Sequence, residues 1–281
     1  MWINVIDYRG KDKTDPLYIK RTQYFQAQQI DFKHWQKHGH KFRCFTQHKD
    51  PKHFYLGFDE VVYFEQRKNS EARAYIMDWL YKNDPNWDWT AMWDNDATVY
   101  WDRPFEDKFN SNDVPEHLHN ICKTADDYNI KLFTPLFPKI HSYKGSDEVS
   151  ENDIFANGYH FKPVAEAKGT MLFIKNMGLT FDTSLDAMSD YDYACNVRKQ
   201  PRSIVAHLQQ LALKEYGDED TSIMFKTIDF RKNQIDTNRE KINAKWGINT
   251  KDWAKTNRAN TKIEKLTKDQ NFQYYNLFES N

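Results

Sequence analysis

The chain is poor in cysteine: Cys44, Cys122 and Cys195 are an odd number at wide spacing. They support neither a disulfide framework nor a zinc knuckle, which suits a reducing cytosol. No Gly/Ser-rich linker divides the chain and no internal repeat is visible, so one continuous domain is expected. No apolar run approaches membrane-spanning length, and Met1 to Asp7 has no basic leader, so a soluble protein with no membrane partner is expected. The near-neutral formal charge of −1 excludes neither an anionic nor a neutral partner.

Aromatic residues are abundant, at 16% of 281 residues, so the core and any groove should be rich in Trp, Tyr and Phe. Trp2 to Tyr8 reads as a buried first strand that ends in a polar loop holding Asp7 and Arg9. Open α/β sheets place ligands at such strand ends. Thr22 to His38 suits a helix stopped by Gly39, with Phe25, Ile30, Phe32 and Trp35 as its apolar residues. Strands follow at 41–46 and 60–64. Asn69 is a plausible N-cap for a helix with an Ala72, Tyr75, Ile76, Trp79 and Leu80 stripe. A strand from Thr90 to Trp93 comes next. This alternation predicts an α/β fold.

Past Asp96 the pattern loosens. Residues 104–114 read as irregular, 115–128 as a helix, 131–137 as a strand and 146–153 as an acidic surface loop. Gly169 to Asn176 is the best strand of the second half, and Ser189 caps a helix with acids in its first turn. Ser203 to Tyr216 reads as helical and 223–228 as a short strand. From 234 onward the chain is polar and mostly helical, anchored by Trp246, Trp253, Tyr274 and Tyr275. We therefore divide it into a catalytic domain at 1–233, with halves at 1–103 and 104–233, and a basic extension at 234–281.

The chemistry centres on Asp94-Asn95-Asp96. A strand that ends there releases both carboxylates into a loop, where they can turn to one ligand. Adjacent carboxylates repel unless a cation sits between them, and hard Mg²⁺ or Mn²⁺ fits oxygen donors. A solvated Asp-Asn-Asp turn is the plain alternative. Arg73, on the helix before this strand, suits phosphate or carboxylate recognition, against an ordinary exposed helix arginine. Asp190 and Asp192 lie at a helix start and could serve as a general base or simply cap it. His207 is a candidate metal ligand, against a satisfied core histidine.

Basic charge is uneven. Residues 33–53 hold six Lys/Arg against one acid, and 226–268 hold twelve against five, a local balance of +7. With Trp35, Trp246 and Trp253 interleaved, this is an electrostatic footprint for nucleic acid, or else solvated helix faces.

In order, these pieces resemble the GT-A glycosyltransferases, especially inverting family 2. The matching segments are Ala72-Arg73-Ala74, the strand ending in Asp94-Asn95-Asp96, the Gly169 to Lys175 strand, Ser189-Asp190-Tyr191-Asp192 with Arg198, and Lys245-Trp246-Gly247. The family's Asn after Arg73 and its Glu at 189 are absent. The resemblance implies a single GT-A-like domain with a mixed, mostly parallel central sheet and a helical C-terminal extension. It implies a UDP-sugar donor and Mn²⁺ or Mg²⁺, with Asp94, Asp96 and His207 at the metal and Asp7, Arg9, Arg73, Asp94 and Asn95 at the donor. Asp190, with Asp192 beside it, would take the proton of the acceptor hydroxyl, giving inversion.

Size, charge and the Lys/Trp-rich end are also similar to the T-even bacteriophage glucosyltransferases of DNA. That likeness implies transfer of glucose from UDP-glucose to glucosylated hydroxymethylcytosine in double-stranded DNA, in the host cytoplasm if the chain is phage-encoded. A surface-polysaccharide glycosyltransferase and a non-catalytic nucleic-acid-binding protein are the alternatives.

Overall fold

The computed structural model describes residues 1–7, 9, 13–14, 16–65, 68–95, 97–101, 114–136, 153–164, 167, 169–185, 187–215 and 228–247. The chain runs β1 (Trp2–Ile6), α1 (Pro16–Lys37), β2 (Lys41–Thr46), a 3-10 turn (Lys52–Tyr55), β3 (Glu60–Tyr63), α2 (Asn69–Asn83), β4 (Trp89–Asp94) and β5 (Ala97–Trp101). It continues with α3 (Val114–Asp127), β6 (Ile130–Leu136), β7 (Ile154–Ala156), β8 (Tyr159–Pro163), β9 (Met171–Lys175), α4 (Ser189–Lys199), β10 (Ile204–Glu215) and α5 (Ile228–Trp246). This is a mixed α/β fold around one sheet.

All ten strands join that sheet in the order β3-β2-β1-β4-β9-β6-β10-β8-β7, with β5 also on β10. Parallel pairing is confined to β3-β2-β1-β4 and to β6 with β10; β9 runs antiparallel to both β4 and β6. The sheet is thus mixed as expected but less parallel, because β5, β7, β8 and β9 all pair antiparallel. In register, Ile6 faces Phe45 and Asp94, and Thr46 faces Tyr63, so the carboxyl ends of four parallel strands share one edge.

Alternation along the strands divides the core into two layers. Ile3, Val5, Phe42, Trp93, Phe133 and Phe173 pack with Phe25, Phe32 and Trp35 of α1 and Leu118 and Ile121 of α3. On the other face Ile6, Phe45, Met92, Leu172 and Ile174 meet Ile76, Met77 and Leu80 of α2 and Tyr193, Ala194 and Val197 of α4. Burial on both faces explains why β4 carries no charge before Asp94.

Several sequence expectations are corrected. The first helix starts at Pro16 rather than Thr22, since proline suits a helix's first turn. Gly39 does stop it, at φ 80°, whereas Ile30 is 76% exposed and lies outside the core. Asn69 lies inside α2, and the cap residue Lys68 makes no side-chain cap bond. Met188, left-handed at φ 62°, caps α4 in place of Ser189.

The segment expected to be helical from Ser203 is strand β10. Its Ala, Leu, Gln, Lys and Glu favour helix locally, but β6, β8 and β5 all pair with it. Helix α5 begins at Ile228, where a strand was expected to end. The rest of that strand, residues 104–113 and 146–152, and anchors Trp253, Tyr274 and Tyr275 lie outside the described residues. Among the described residues, no helix is long and apolar enough to cross a membrane.

Trp93 is fully buried, with its ring centroid 5.4 Å from Trp35 and 6.2 Å from Phe32. Trp93→Ala is expected to cost about 3–5 kcal/mol, read as a lower urea midpoint at unchanged slope.

Candidate active site at the β1/β4 crossover

Strand order reverses between β1 and β4, since β2 follows β1 on one side and β4 lies on the other. In open α/β sheets a crevice forms outside the carboxyl ends at such a point. Asp94 ends β4 here, and its backbone N–H donates to the Thr170 carbonyl at 2.9 Å. Because β9 is antiparallel to β4, its leading residues Gly169 and Thr170 arrive beside Asp94.

Arg73 reaches this place from α2. It is buried at 3% exposure, so the expectation of an ordinary surface arginine is ruled out. Its guanidinium donates to the Gly169 carbonyl and lies 3.6 Å from the Asp94 carboxylate. Asp190, at the start of α4, completes the cluster. A Cβ on Gly169 would lie 2.5 Å from both terminal Arg73 nitrogens and 2.8 Å from Asp190 Oδ2. Only glycine lets the three groups approach this closely.

Burial pushes the Asp190 carboxyl up from its ordinary value, although Arg73 and the backbone N–H groups of Asp190, Tyr191 and Gly169 oppose that shift. A desolvated carboxylate with a raised pKa beside a cation is a functional-site signature.

The loop after β4 is held from behind. Gln28 of α1, fully buried, donates its amide to the carbonyls of Asp94 at 3.1 Å and Ala97 at 2.9 Å. The buried Asn95 points its amide to Asp7 Oδ1 at 3.5 Å. Asp7 and Arg9 are both fully buried and form a bidentate pair at 2.7 and 2.6 Å. Thr46 donates to Asp7 at 2.7 Å, and Asp50 accepts from Arg9 at 2.7 Å. Burial opposes the Arg9 charge, but hydrogen bonding to Asp7 and the charges of Asp7, Tyr18 and Asp50 outweigh it and raise its pKa. Asp7, Arg9 and Asn95 are therefore packed beneath the strand ends and paired with one another, without the exposed surface that the expected donor contacts require.

Gln47, His48, Lys49, Tyr63, Phe64 and Glu65 line an open groove of about 530 Å³. Burial, ahead of nearby charges, lowers the His48 pKa below its ordinary value.

Two expected site residues are placed elsewhere. The Asp192 carboxylate accepts from Trp246 Nε1 at 2.8 Å and Lys245 Nζ at 2.9 Å, both on α5. His207 sits on β10 with its Nδ1 2.9 Å from Thr134 Oγ1. Strands β9 and β6 stand between β4 and β10, so His207 is about 14 Å across the sheet from β4 at ordinary strand spacing. Asp96 lies outside the described residues, among which no three His, Cys, Asp or Glu side chains group around a metal position. Asp94 supplies an oxygen donor of the kind a hard divalent cation accepts.

Gln28 had no signal in the sequence, because an amide inside a helix reads as surface. The Gly169 contact could have been suspected from a glycine that opens a strand beside a carboxylate-bearing strand.

No protein-family model matches the chain, and no curated protein matches it. Among solved structures, A197 from STIV aligns at a TM-score of 0.40 with 13% identity, covering 78% of this chain and 86% of that one. That likeness is too distant to carry an argument about function.

Because the folded pKa of Asp190 is raised, its stability contribution is greatest below the unfolded value of about 3.9 and is lost as pH rises through the folded value. Asp190→Asn is expected to raise the thermal midpoint at neutral pH, with the gain vanishing near pH 4. A gain independent of pH, or none, would remove Asp190 as a desolvated carboxylate.

Proposed function

We propose that this chain is a metal-dependent glycosyltransferase that moves a hexose, glucose from UDP-glucose, onto an acceptor hydroxyl with inversion. We read its α/β fold as a GT-A fold on the same grounds. One observation carries the proposal: Arg73, Asp94, Gly169 and Asp190, separated in sequence, converge at the β1/β4 crossover. These are the positions at which the sequence resembles the family, so the order of the motifs and their meeting in space support one reading.

In this mechanism Asp190 accepts the acceptor hydroxyl's proton as the oxygen attacks the anomeric carbon. Its raised pKa brings it nearer the operating pH than a solvated aspartate, which favours base catalysis. Arg73 faces the diphosphate and, through Asp94, braces the strand end. A divalent Mn²⁺ or Mg²⁺ beside Asp94 and Asp96 would neutralise charge on the departing nucleoside diphosphate. Asp7 and Arg9, buried and paired, hold the strand ends rigid beneath the site, with the groove at His48 and Tyr63 open to a donor.

We propose glucosylated hydroxymethylcytosine in double-stranded DNA as the acceptor. Exposed Lys49 and Lys52 follow β2 at the site edge, where phosphate contacts would position a duplex. The other lysines of the basic 33–53 stretch are divided from them. Lys33 and Lys37 end α1, and Lys41 starts β2 at the opposite edge of the sheet.

Wild-type protein with UDP-glucose, Mn²⁺ and glucosylated DNA is expected to transfer sugar. Asp190→Asn should lower kcat by about 10²–10⁴ while sparing donor binding. Affinity for duplex DNA should fall steeply with salt. Absence of donor binding with Mn²⁺ would overturn the enzyme reading; transfer to a polysaccharide but not to DNA would overturn only the acceptor.

A further inference from the structure

Two residues apart in the first turn of α4, Asp190 and Asp192 face different neighbours. At about 100° per residue they point some 200° apart around the helix. Asp190 meets Gly169 and Arg73 on one side. On the other, Asp192, only 2% exposed, accepts from Trp246 and Lys245 of α5. Lys245 also donates to Asp182 at 2.7 Å, and Lys241 donates to the Ser184 carbonyl at 3.1 Å. From α2, Ser70 donates to the Leu185 carbonyl at 2.5 Å. The segment leading into α4 is therefore tied from both flanks.

The first turn is held partly by its own Asp190 carboxylate, which accepts from the backbone N–H groups of Asp190 and Tyr191. Its cap residue Met188 is left-handed and makes no side-chain cap bond. The grip on Asp192 adds a tie from α5 to the same turn. Rotation of the first turn, the motion that would swing Asp190 away from Arg73, would also withdraw a buried carboxylate from its donors.

We propose that Lys245 and Trp246 are positioning residues that clamp the first turn of α4 through Asp192 and thereby aim Asp190. The catalytic part of this inference rests on the glycosyltransferase reading; the clamp itself does not. Among the described residues, the charges around Asp190 are Arg73 on α2, with Asp94 of β4 behind it, and on the far side Asp192, Lys245 and Asp182.

The test uses the full-length chain. Lys245→Met is expected to lower kcat about tenfold with donor KM within about twofold, the signature of a lost transition-state alignment. Lys245→Arg should recover most of the rate. Trp246→Phe, which keeps the ring and removes the N–H, should reproduce the loss in milder form. In an Asp190→Asn background, Lys245→Met should change the residual rate little, because residues acting as a unit are not additive. Amide hydrogen exchange at residues 189–192 should quicken in Lys245→Met without any substrate.

An unchanged kcat, or losses that multiply with Asp190→Asn, would overturn the positioning role. Unchanged exchange at 189–192 would overturn the clamp. If the wild type transfers no sugar, the enzyme reading fails, and exchange alone still decides whether the clamp exists.

Discussion

The structure depends on a buried arginine that must be paired. Arg73 lies almost out of solvent on α2, where an isolated guanidinium would be strongly unfavourable. Its charge is met by Asp94 at the end of β4, the Gly169 carbonyl before β9 and the Asp190 carboxylate at the start of α4. Those partners come from three stretches spread over more than a third of the chain, so one cation ties them together. Because the three partners share one cation, substitutions among them are expected to be non-additive.

A second buried arginine does different work. Arg9 is enclosed by Tyr18, Phe25 and Phe54 and neutralised by Asp7 and Asp50. That pair holds the ends of β1 and β2 together and, through Asn95, reaches the loop after β4. One arginine stabilises the strand ends; the other stands at the proposed chemistry. The contrast lies in the carboxylates: Asp94 retains solvent contact and Asp190 is half-buried, while Asp7 has no exposed surface.

Much of the first half was legible because local signals and tertiary demands coincide there. Strand β2 matches its expected range, and α2 and β4 fall within a residue or so. In the second half the signals conflict. Residues 204–215 have helix-favouring side chains, yet three neighbouring strands recruit them. The cap of α4 was read as serine, but Asp192 and its α5 partners secure that turn over a separation of 54 residues.

By itself the sequence determined the α/β alternation, the carboxylate-ended strand and the presence of charged residue types near it. Those are properties of short stretches, governed by periodicity and side-chain chemistry. Only the tertiary structure decided that Arg73 is buried beside Asp190, that Gly169 must be glycine, that Asp192 turns to α5 and that His207 stays across the sheet. Each of these depends on which distant strands pair, and pairing follows from burying both faces of one sheet at once. Asp94 was legible as a carboxylate at a strand end; its companions were set by the fold.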